Sequence, residues 1–281
     1  MRRRKLETLA DYERALRNGF GRGCGEDYTP WIRAQDVASH GRSTKLPGIT
    51  VHRQHHFLSD HEKRFFLYAE YQPSIIDIRE QFPLLPVDLI ERITEQAGIS
   101  YPKNRKSKVP RVLTTDFLLT VSNENGVSYK AIAIKPSSEL RKTCVRKILD
   151  IERLWWSLLG VEWRLVTEKQ LDRQVADNLD WVSDVKRGNK MSAFESVIPN
   201  NAREALLEEL TPGIYMWEKL IKSASGILGV DGKSASVLLR AMSWERLIEI
   251  DLSVPIQREG LIKIEHVNSH MIRENQYGTC S

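Results

Sequence analysis

Two apolar segments separated by a short turn constrain the fold of this chain most. Residues 111–121 and 128–135 are rich in β-branched and other apolar side chains, and residues 122–126 between them read Ser-Asn-Glu-Asn-Gly. This pattern predicts a β-hairpin. Asp116 lies within the first segment and Lys135 closes the second. A charge in apolar surroundings costs free energy unless it is paired or has a functional role, so the two residues indicate a candidate site.

A predicted helix and a further predicted strand follow the hairpin. Apolar residues recur at helical spacing over 138–159, and residues 163–167 have the composition of a strand. A strand, a helix of this length and a second strand form a βαβ unit. With a predicted helix over 59–71 and a predicted strand over 75–82, the pattern indicates a mixed-sheet α/β domain over residues 1–168.

The remaining residues, 169–281, have a different pattern and are predicted to form a second, mainly helical domain. Residues 171–186 and 192–224 are mostly helical in pattern, and a short helix is predicted over 234–242. Two alternating segments follow, 248–252 and 261–265. Two helices followed by a two-stranded hairpin are the outline of a winged helix.

Charge and cysteine content exclude few functions. The chain has 42 Lys and Arg residues against 37 Asp and Glu residues, a net charge of +5, which only weakly indicates a polyanionic partner. Cys24, Cys144 and Cys280 are widely spaced and odd in number, which disfavours a disulfide framework or a zinc site. No apolar run has the length of a membrane span, and the basic start lacks the apolar core of a secretory signal. We expect a cytoplasmic protein without a membrane partner.

A third residue completes a nuclease-like set. With Ser59 as the N-cap of the predicted 59–71 helix, Glu62 is expected at the third helical position. From there its carboxylate could approach Asp116 and Lys135. Two carboxylates can hold Mg²⁺, and a lysine can stabilise developing charge or assist deprotonation of water. Each residue also has an ordinary interpretation: Glu62 as the capping-box partner of Ser59, Asp116 as a strand-end solvent residue and Lys135 as an edge lysine.

Other residues are candidates for supporting roles. Glu152 lies at the edge of the apolar face of the 138–159 helix, either as a partly buried neighbour of the site or as the polar border of the helix. Trp155 and Trp156 are interpreted as a core residue and a half-exposed neighbour. Two basic segments are candidates for DNA phosphate contacts, although a solvated loop explains the first equally well. The residues concerned are Lys103, Arg105, Lys106, Lys108 and Arg258.

Several segments together resemble a known family. They are GRGCGEDYTPW over 21–31, HHFLSDHE over 55–62, DIREQFPLLP over 77–86, Thr115-Asp116-Phe117, Ile134-Lys135-Pro136, and Ile151-Glu152-Arg153 followed by two tryptophans. In order and spacing across residues 18–167, they resemble the TnsA family, the endonuclease subunits of the heteromeric transposases of Tn-seven-like transposons.

The resemblance implies a restriction-endonuclease-like N-terminal domain in a bacterial cytoplasmic protein. It implies Mg²⁺-dependent hydrolysis of phosphodiester bonds at the 5′ ends of the transposon, with Mn²⁺ able to substitute. Position by position, Glu62 matches the family's helix carboxylate, Asp116 its metal-bridging aspartate, Lys135 its catalytic lysine and Glu152 a glutamate of the following helix. The implied partners are transposon-end DNA, the DDE transposase subunit TnsB and the AAA+ regulator TnsC.

One position departs from the wider nuclease pattern. Many restriction-type enzymes carry Glu or Gln two residues before the lysine, whereas this chain has Ala133. The backbone carbonyl of Ile134 or waters would then complete the metal shell, so the number of metals stays open and weak activity of the isolated protein is expected. Two alternatives also stay open: a catalytically silent DNA-binding and bridging subunit, and a stand-alone restriction-type nuclease.

Overall fold

The computed structural model describes residues 4–37, 43–124, 126–195, 197–199, 201–256 and 260–268. The chain divides into two compact units, Met1–Leu171 and Asp172–Ser281. Described α-helices of the first unit are α1 (Leu9–Arg17), α2 (Asp60–Glu70), α3 (Val87–Gln96) and α4 (Thr143–Leu158). Its strands are β1 (Thr44–Pro47), β2 (Gln54–Phe57), β3 (Ile75–Pro83), β4 (Thr114–Asn123), β5 (Gly126–Ile134) and β6 (Glu162–Val166).

The first unit is built on a mixed sheet with the strand order β3-β4-β5-β6. The β3–β4 and β4–β5 pairs are antiparallel, whereas β5 and β6 are parallel and are connected through α4. The predicted hairpin, βαβ unit and mixed sheet are therefore confirmed. The strands extend further into the turn than predicted, because Asn123 pairs with Gly126. Lys135 lies just after β5, and its backbone N–H donates to the carbonyl of Val166 at 3.1 Å.

The sheet has an apolar core on each face. One core lies against α2 and β2, and its buried members include Phe57, Phe66, Ile78, Phe117 and Ile132. The other lies against α3 and α4, and its buried members include Leu84, Ile90, Leu118, Ile151 and Trp155. Successive residues of a strand point to opposite faces, which explains why Phe117 and Leu118 belong to different cores. Asp116, beside Phe117 in β4, is thus held in a rigid, apolar framework.

A hairpin of β1 and β2 precedes α2 and was not predicted from the sequence. The two strands pair antiparallel, with Thr44 opposite Phe57. Arg53, at the turn, reaches β3 and forms two hydrogen bonds to the Glu80 carboxylate at 2.8 and 2.5 Å. His55 Nδ1 lies 3.0 Å from the same carboxylate. The hairpin is therefore tied to β3 by a buried ionic cluster.

The second unit combines helices with a small antiparallel sheet. Its described α-helices and strands are α5 (Arg173–Ser183), α6 (Ser192–Glu195), α7 (Ala202–Glu209), β7 (Gly213–Met216), α8 (Trp217–Leu228), α9 (Gly232–Trp244), β8 (Ile248–Ile250) and β9 (Leu261–Val267). The strand order is β7-β9-β8. The antiparallel pairing of β8 with β9 agrees with the predicted hairpin. A winged-helix assignment stays a prediction.

The predicted helical character of residues 192–224 is wrong in part. Gly213–Met216 forms β7, which pairs antiparallel with β9, Gly213 lying opposite Ile264. Leu210, just before this strand, has an extended backbone that ends α7. Only the long-range pairing with β9 makes so short a segment a strand. Among the described residues, no helix combines the length and the apolar character needed to cross a membrane.

Candidate active site

Three elements of the first unit bring Glu62, Asp116 and Lys135 into one cluster. Glu62 is the third residue of α2, Asp116 lies in β4, and Lys135 follows β5. Phe117 pairs with Ile132 in the antiparallel β4–β5 ladder. This register places Asp116 opposite Ala133, so Lys135 begins within reach of the Asp116 side chain. The sequence prediction that the three residues lie together agrees with this geometry.

Asp116 is the centre of the cluster, and both of its carboxylate oxygens are engaged. Oδ2 accepts hydrogen bonds from the backbone N–H of Ile134 at 2.6 Å and from Lys135 Nζ at 2.8 Å. Oδ1 accepts from the Gln81 side-chain amide at 3.4 Å. Asp116 is buried. The interpretation of Asp116 as a strand-end solvent residue is therefore wrong.

Glu62 is buried at the start of α2, where it does more than cap the helix. Ser59 is the N-cap residue, and its Oγ accepts from the backbone N–H of Glu62. The Glu62 carboxylate accepts from Ser59 Oγ and from the backbone N–H of Leu58, both at 2.9 Å. Oε2 also accepts from Gln81 Nε2 at 3.3 Å. Burial, and after it the negative charge of Asp116, raises the pKa of Glu62, so its ionised form gains from a nearby cation.

Lys135 supplies the positive charge of the cluster. Its Nζ donates to Asp116 Oδ2 at 2.8 Å and to the backbone carbonyl of Ile134 at 2.9 Å. Burial lowers the pKa of this ammonium group, but the charges of Asp116 and Glu152 outweigh burial and raise the pKa. Lys135 is therefore protonated at neutral pH. Its side chain is 28% exposed, so the residue is partly open to solvent.

Glu152 lies in α4 and is buried beside the cluster. Its Oε2 accepts from Thr115 Oγ1 at 3.1 Å, and Thr115 Oγ1 accepts in turn from the indole N–H of Trp156 at 2.7 Å. Burial, then the charge of Asp116, raises the pKa of Glu152. The alternative that Glu152 is the polar border of the helix is wrong. Trp156 is also buried, not half-exposed as expected, because its N–H has this internal partner.

Gln81 is a member of the cluster that the sequence analysis missed. Its side-chain amide donates to both carboxylates, Glu62 and Asp116. It lies in β3 between Glu80 and Phe82, and it is buried. Its neighbours in the strand are the charged Glu80 and the apolar Phe82, and glutamine itself carries no charge, so no local signal in the sequence marks Gln81 as part of the site. The cluster therefore consists of three ionisable side chains and one amide.

Four of the five predicted DNA-contacting residues, Lys103, Arg105, Lys106 and Lys108, belong to the first unit, and in the described part of the chain no hydrogen bond or ion pair joins them to the cluster. Lys103, Arg105 and Lys106 line an open cleft of about 830 Å³, which is also lined by Arg4, Lys5 and Arg111 among other residues. Lys103 pairs with Glu91 at 2.7 Å. Lys108 has a left-handed backbone, with φ of 61°, and does not line the cleft. Arg258 lies outside the described residues.

The oxygen atoms at the centre of the cluster suit a hard divalent cation. Gln81 links the Glu62 and Asp116 carboxylates, and Lys135 Nζ contacts both Asp116 and the Ile134 carbonyl; oxygen is the ligand that Mg²⁺ prefers. Within the described ranges, no group of three or more His, Cys, Asp and Glu side chains could hold a metal. A cation at this position would therefore depend on a backbone carbonyl and water besides Glu62 and Asp116. Mg²⁺ characteristically retains several waters, so the residues fit this ion.

Comparison with known proteins relates part of the first unit to an endonuclease family. Residues 72–168 match the family model of the TnsA-like endonuclease N-terminal domain. This range contains Asp116, Lys135 and Glu152, whereas Glu62 precedes it. The transposition protein TnsA of transposon Tn7 from Escherichia coli is 38% identical over 173 residues. The alignment covers 62% of this chain and 62% of the relative's length.

Proposed function

Because this chain belongs to the TnsA family, we propose that it is the endonuclease subunit of a cut-and-paste transposase. Its substrate is transposon-end DNA, and its reaction is hydrolysis of phosphodiester bonds at the 5′ ends of the transposon. The observation that carries the proposal is the convergence of Glu62, Asp116 and Lys135 in one partly open cluster. The proposal places this reaction in the bacterial cytoplasm.

Mg²⁺ is the proposed cofactor, with Mn²⁺ able to substitute. Glu62, Asp116 and the Ile134 carbonyl would hold it, and the bound ion would polarise a phosphoryl oxygen and lower the pKa of a bound water. The hydrogen bonds from Ile134 N–H and Leu58 N–H orient the two carboxylates in advance. Such orientation reduces the rearrangement needed at the moment of reaction.

Lys135 would stabilise the negative charge that develops on the phosphoryl group. Its ammonium group remains charged at neutral pH, and its side chain is partly exposed. Glu152 would act through Lys135 by adding negative charge behind it, since its own hydrogen-bond partner is Thr115. Lys103, Arg105, Lys106 and Lys108 would contact DNA phosphates outside the cluster, which predicts binding that weakens as salt rises. Arg258 has the same proposed role.

The proposed partners follow from family membership. They are a DDE transposase subunit of the TnsB type, which would cut and join the 3′ ends, and an AAA+ regulator of the TnsC type. The second unit, with its predicted winged helix, would contribute DNA and partner contacts. A nuclease that depends on partners would have weak activity alone, whereas a stand-alone restriction-type nuclease would cut a defined sequence unaided.

Ala133 favours a second candidate function, a catalytically silent bridging subunit. The methyl side chain of Ala133 lies opposite Asp116 in the ladder and offers no ligand oxygen. In that case the cluster would be a structural remnant, and DNA binding and partner contacts would be the whole function.

Cleavage and binding assays on the same variants separate the two candidates. End-labelled transposon-end DNA is incubated with Mg²⁺, the partner subunits and wild-type protein, Glu62→Gln or Asp60→Asn. Asp60 is an exposed carboxylate in the first turn of the same helix and is the matched control. The nuclease proposal predicts loss of nicking only in Glu62→Gln, with DNA binding retained. Equal nicking by all three proteins would favour the silent subunit.

A further inference from the structure

The backbone at Gln81 has a conformation that residues other than glycine rarely adopt. Its φ is 49°, in the left-handed region. The β3–β4 register continues on both sides, with Glu80 opposite Phe117 and Phe82 opposite Thr115. Gln81 is therefore opposite Asp116. Its carbonyl accepts from the backbone N–H of Trp31 at 3.3 Å. Strained residues that persist in a rigid framework cluster at functional sites.

The Gln81 side chain makes three hydrogen bonds inside the cluster. Its Oε1 accepts from Thr114 Oγ1 at 3.0 Å. A threonine hydroxyl can donate or accept, whereas an ionised carboxylate only accepts, so the NH₂ group is the end of the amide that faces the carboxylates. Nε2 donates to Glu62 Oε2 at 3.3 Å and to Asp116 Oδ1 at 3.4 Å. One amide thus uses both of its hydrogens to connect two buried anions that belong to different elements.

The connection has an electrostatic reason. Two buried carboxylates repel each other, and each loses the water that would otherwise stabilise its charge. Lys135 compensates Asp116 through Oδ2, but it has no hydrogen bond to Glu62. Gln81 is the group that bridges the Glu62 and Asp116 side chains. Without it, Glu62 would keep its bonds from Leu58 and Ser59, and Asp116 its bonds from Ile134 and Lys135. The hydrogen-bonded link between the two carboxylates would be lost.

We propose that Gln81 is a positioning residue, which holds Glu62 and Asp116 at a spacing that one divalent cation can share. This inference rests on the proposed metal-dependent function. Loss of the amide would leave each carboxylate oriented by its own backbone donor but no longer held at a fixed distance from the other. Removing a hydrogen-bond partner of metal ligands typically weakens metal affinity 10- to 100-fold.

Two substitutions remove the bridge and keep a backbone that tolerates positive φ. Gln81→Asn shortens the side chain by one methylene, and Gln81→Gly removes it. Mn²⁺ is titrated calorimetrically into the full-length protein without DNA. We expect the Kd for Mn²⁺ to rise at least tenfold in both variants, and to rise less in Thr114→Val, which loses only the bond that orients the amide. Arg246→Gly is the control for the backbone, because Arg246 also has a left-handed φ of 59°; its Kd should match the wild type.

Unchanged or tighter Mn²⁺ binding by both Gln81 variants would overturn the inference. A wild-type protein that binds no Mn²⁺ would instead contradict the metal-dependent function. The bridge itself is then tested without metal, by comparing the thermal midpoints of Gln81→Gly, Glu62→Gln and the double variant. If Gln81 bridges the carboxylates, Gln81→Gly should lower Tm less in the Glu62→Gln background, where the repulsion is already relieved. Additive shifts in Tm would refute the bridge.

Discussion

The buried ion pair between Arg53 and Glu80 allows a stability prediction with a worked magnitude. The two side chains are 8% and 0% exposed, and the guanidinium group contacts both carboxylate oxygens. Arg53→Met keeps much of the aliphatic volume but leaves Glu80 with His55 and the backbone N–H of His56 as its remaining partners. Removing one partner of a buried ion pair costs about 3–5 kcal/mol, because the other charge stays buried.

A second loss adds to this cost. Arg53 Nη2 also donates to the backbone carbonyl of Ile78 at 2.8 Å, and an unsatisfied buried acceptor costs roughly 1–3 kcal/mol. Since β3 loses one connection to the β1–β2 hairpin, the effect should be largest in the first unit. We therefore expect Arg53→Met to lower the free energy of unfolding of that unit by at least about 3 kcal/mol.

Hydrogen exchange measured at increasing urea reports each unit separately. Peptides from β3 report the first unit, and peptides from α9 are the internal reference. The control variant is Arg92→Met, which breaks an exposed pair with Asp88, where the side chains are 69% and 75% exposed; a loss of about 0.5 kcal/mol or less is expected. The reasoning is refuted if Arg53→Met costs less than about 1 kcal/mol in β3, or if α9 is destabilised equally.

Three further predictions concern pH, buried hydrogen bonding and DNA. Burial would raise the pKa of Glu80, but hydrogen bonds from Arg53 and His55 outweigh it and lower the pKa to about 2. Because this pKa is below the ordinary 4.5, the stability that Glu80 contributes is present above pH 4.5 and is lost as the pH falls towards 2. Urea titrations should show that the free energy of unfolding depends less on pH over this range in Glu80→Gln. Trp156→Phe removes the N–H that donates to Thr115, and denaturation should reveal a loss of about 1–3 kcal/mol; a cost below 0.5 kcal/mol would contradict the buried network. Arg105→Ala should weaken DNA binding uniformly across sequences and reduce the slope of log K against log salt by about 1, whereas an unchanged slope would remove Arg105 from the interface.

The parts of the fold that the sequence predicted are those with local patterns. The β4–β5 hairpin depends on two apolar runs around a turn, and the parallel β6 follows from a strand–helix–strand order. Once the hairpin is known, its antiparallel register alone brings Asp116 close to Lys135. Helix α2 was predictable because Ser59 provides a strong N-cap signal.

The parts that were missed depend on contacts between distant residues. The β1–β2 hairpin is short and partly polar, and a buried ion pair to β3 holds it in place. Strand β7 has four residues and exists because β9 pairs with it. Trp156 and Gln81 are buried because their polar groups find partners on other elements, and no local pattern indicates such partners.

Strand-specific cleavage is the most direct test of the proposed function. Transposon-end DNA, labelled separately on each strand, is incubated with Mg²⁺, the partner transposase subunits and wild-type protein or Asp116→Asn; Asp150→Asn, at a half-exposed aspartate of α4, is the control. The account predicts that Asp116→Asn loses the cut at the 5′ end while the cut at the 3′ end persists, and that the control cuts both. Unchanged 5′ cutting by Asp116→Asn would contradict it and would assign the hydrolysis to another site or another subunit.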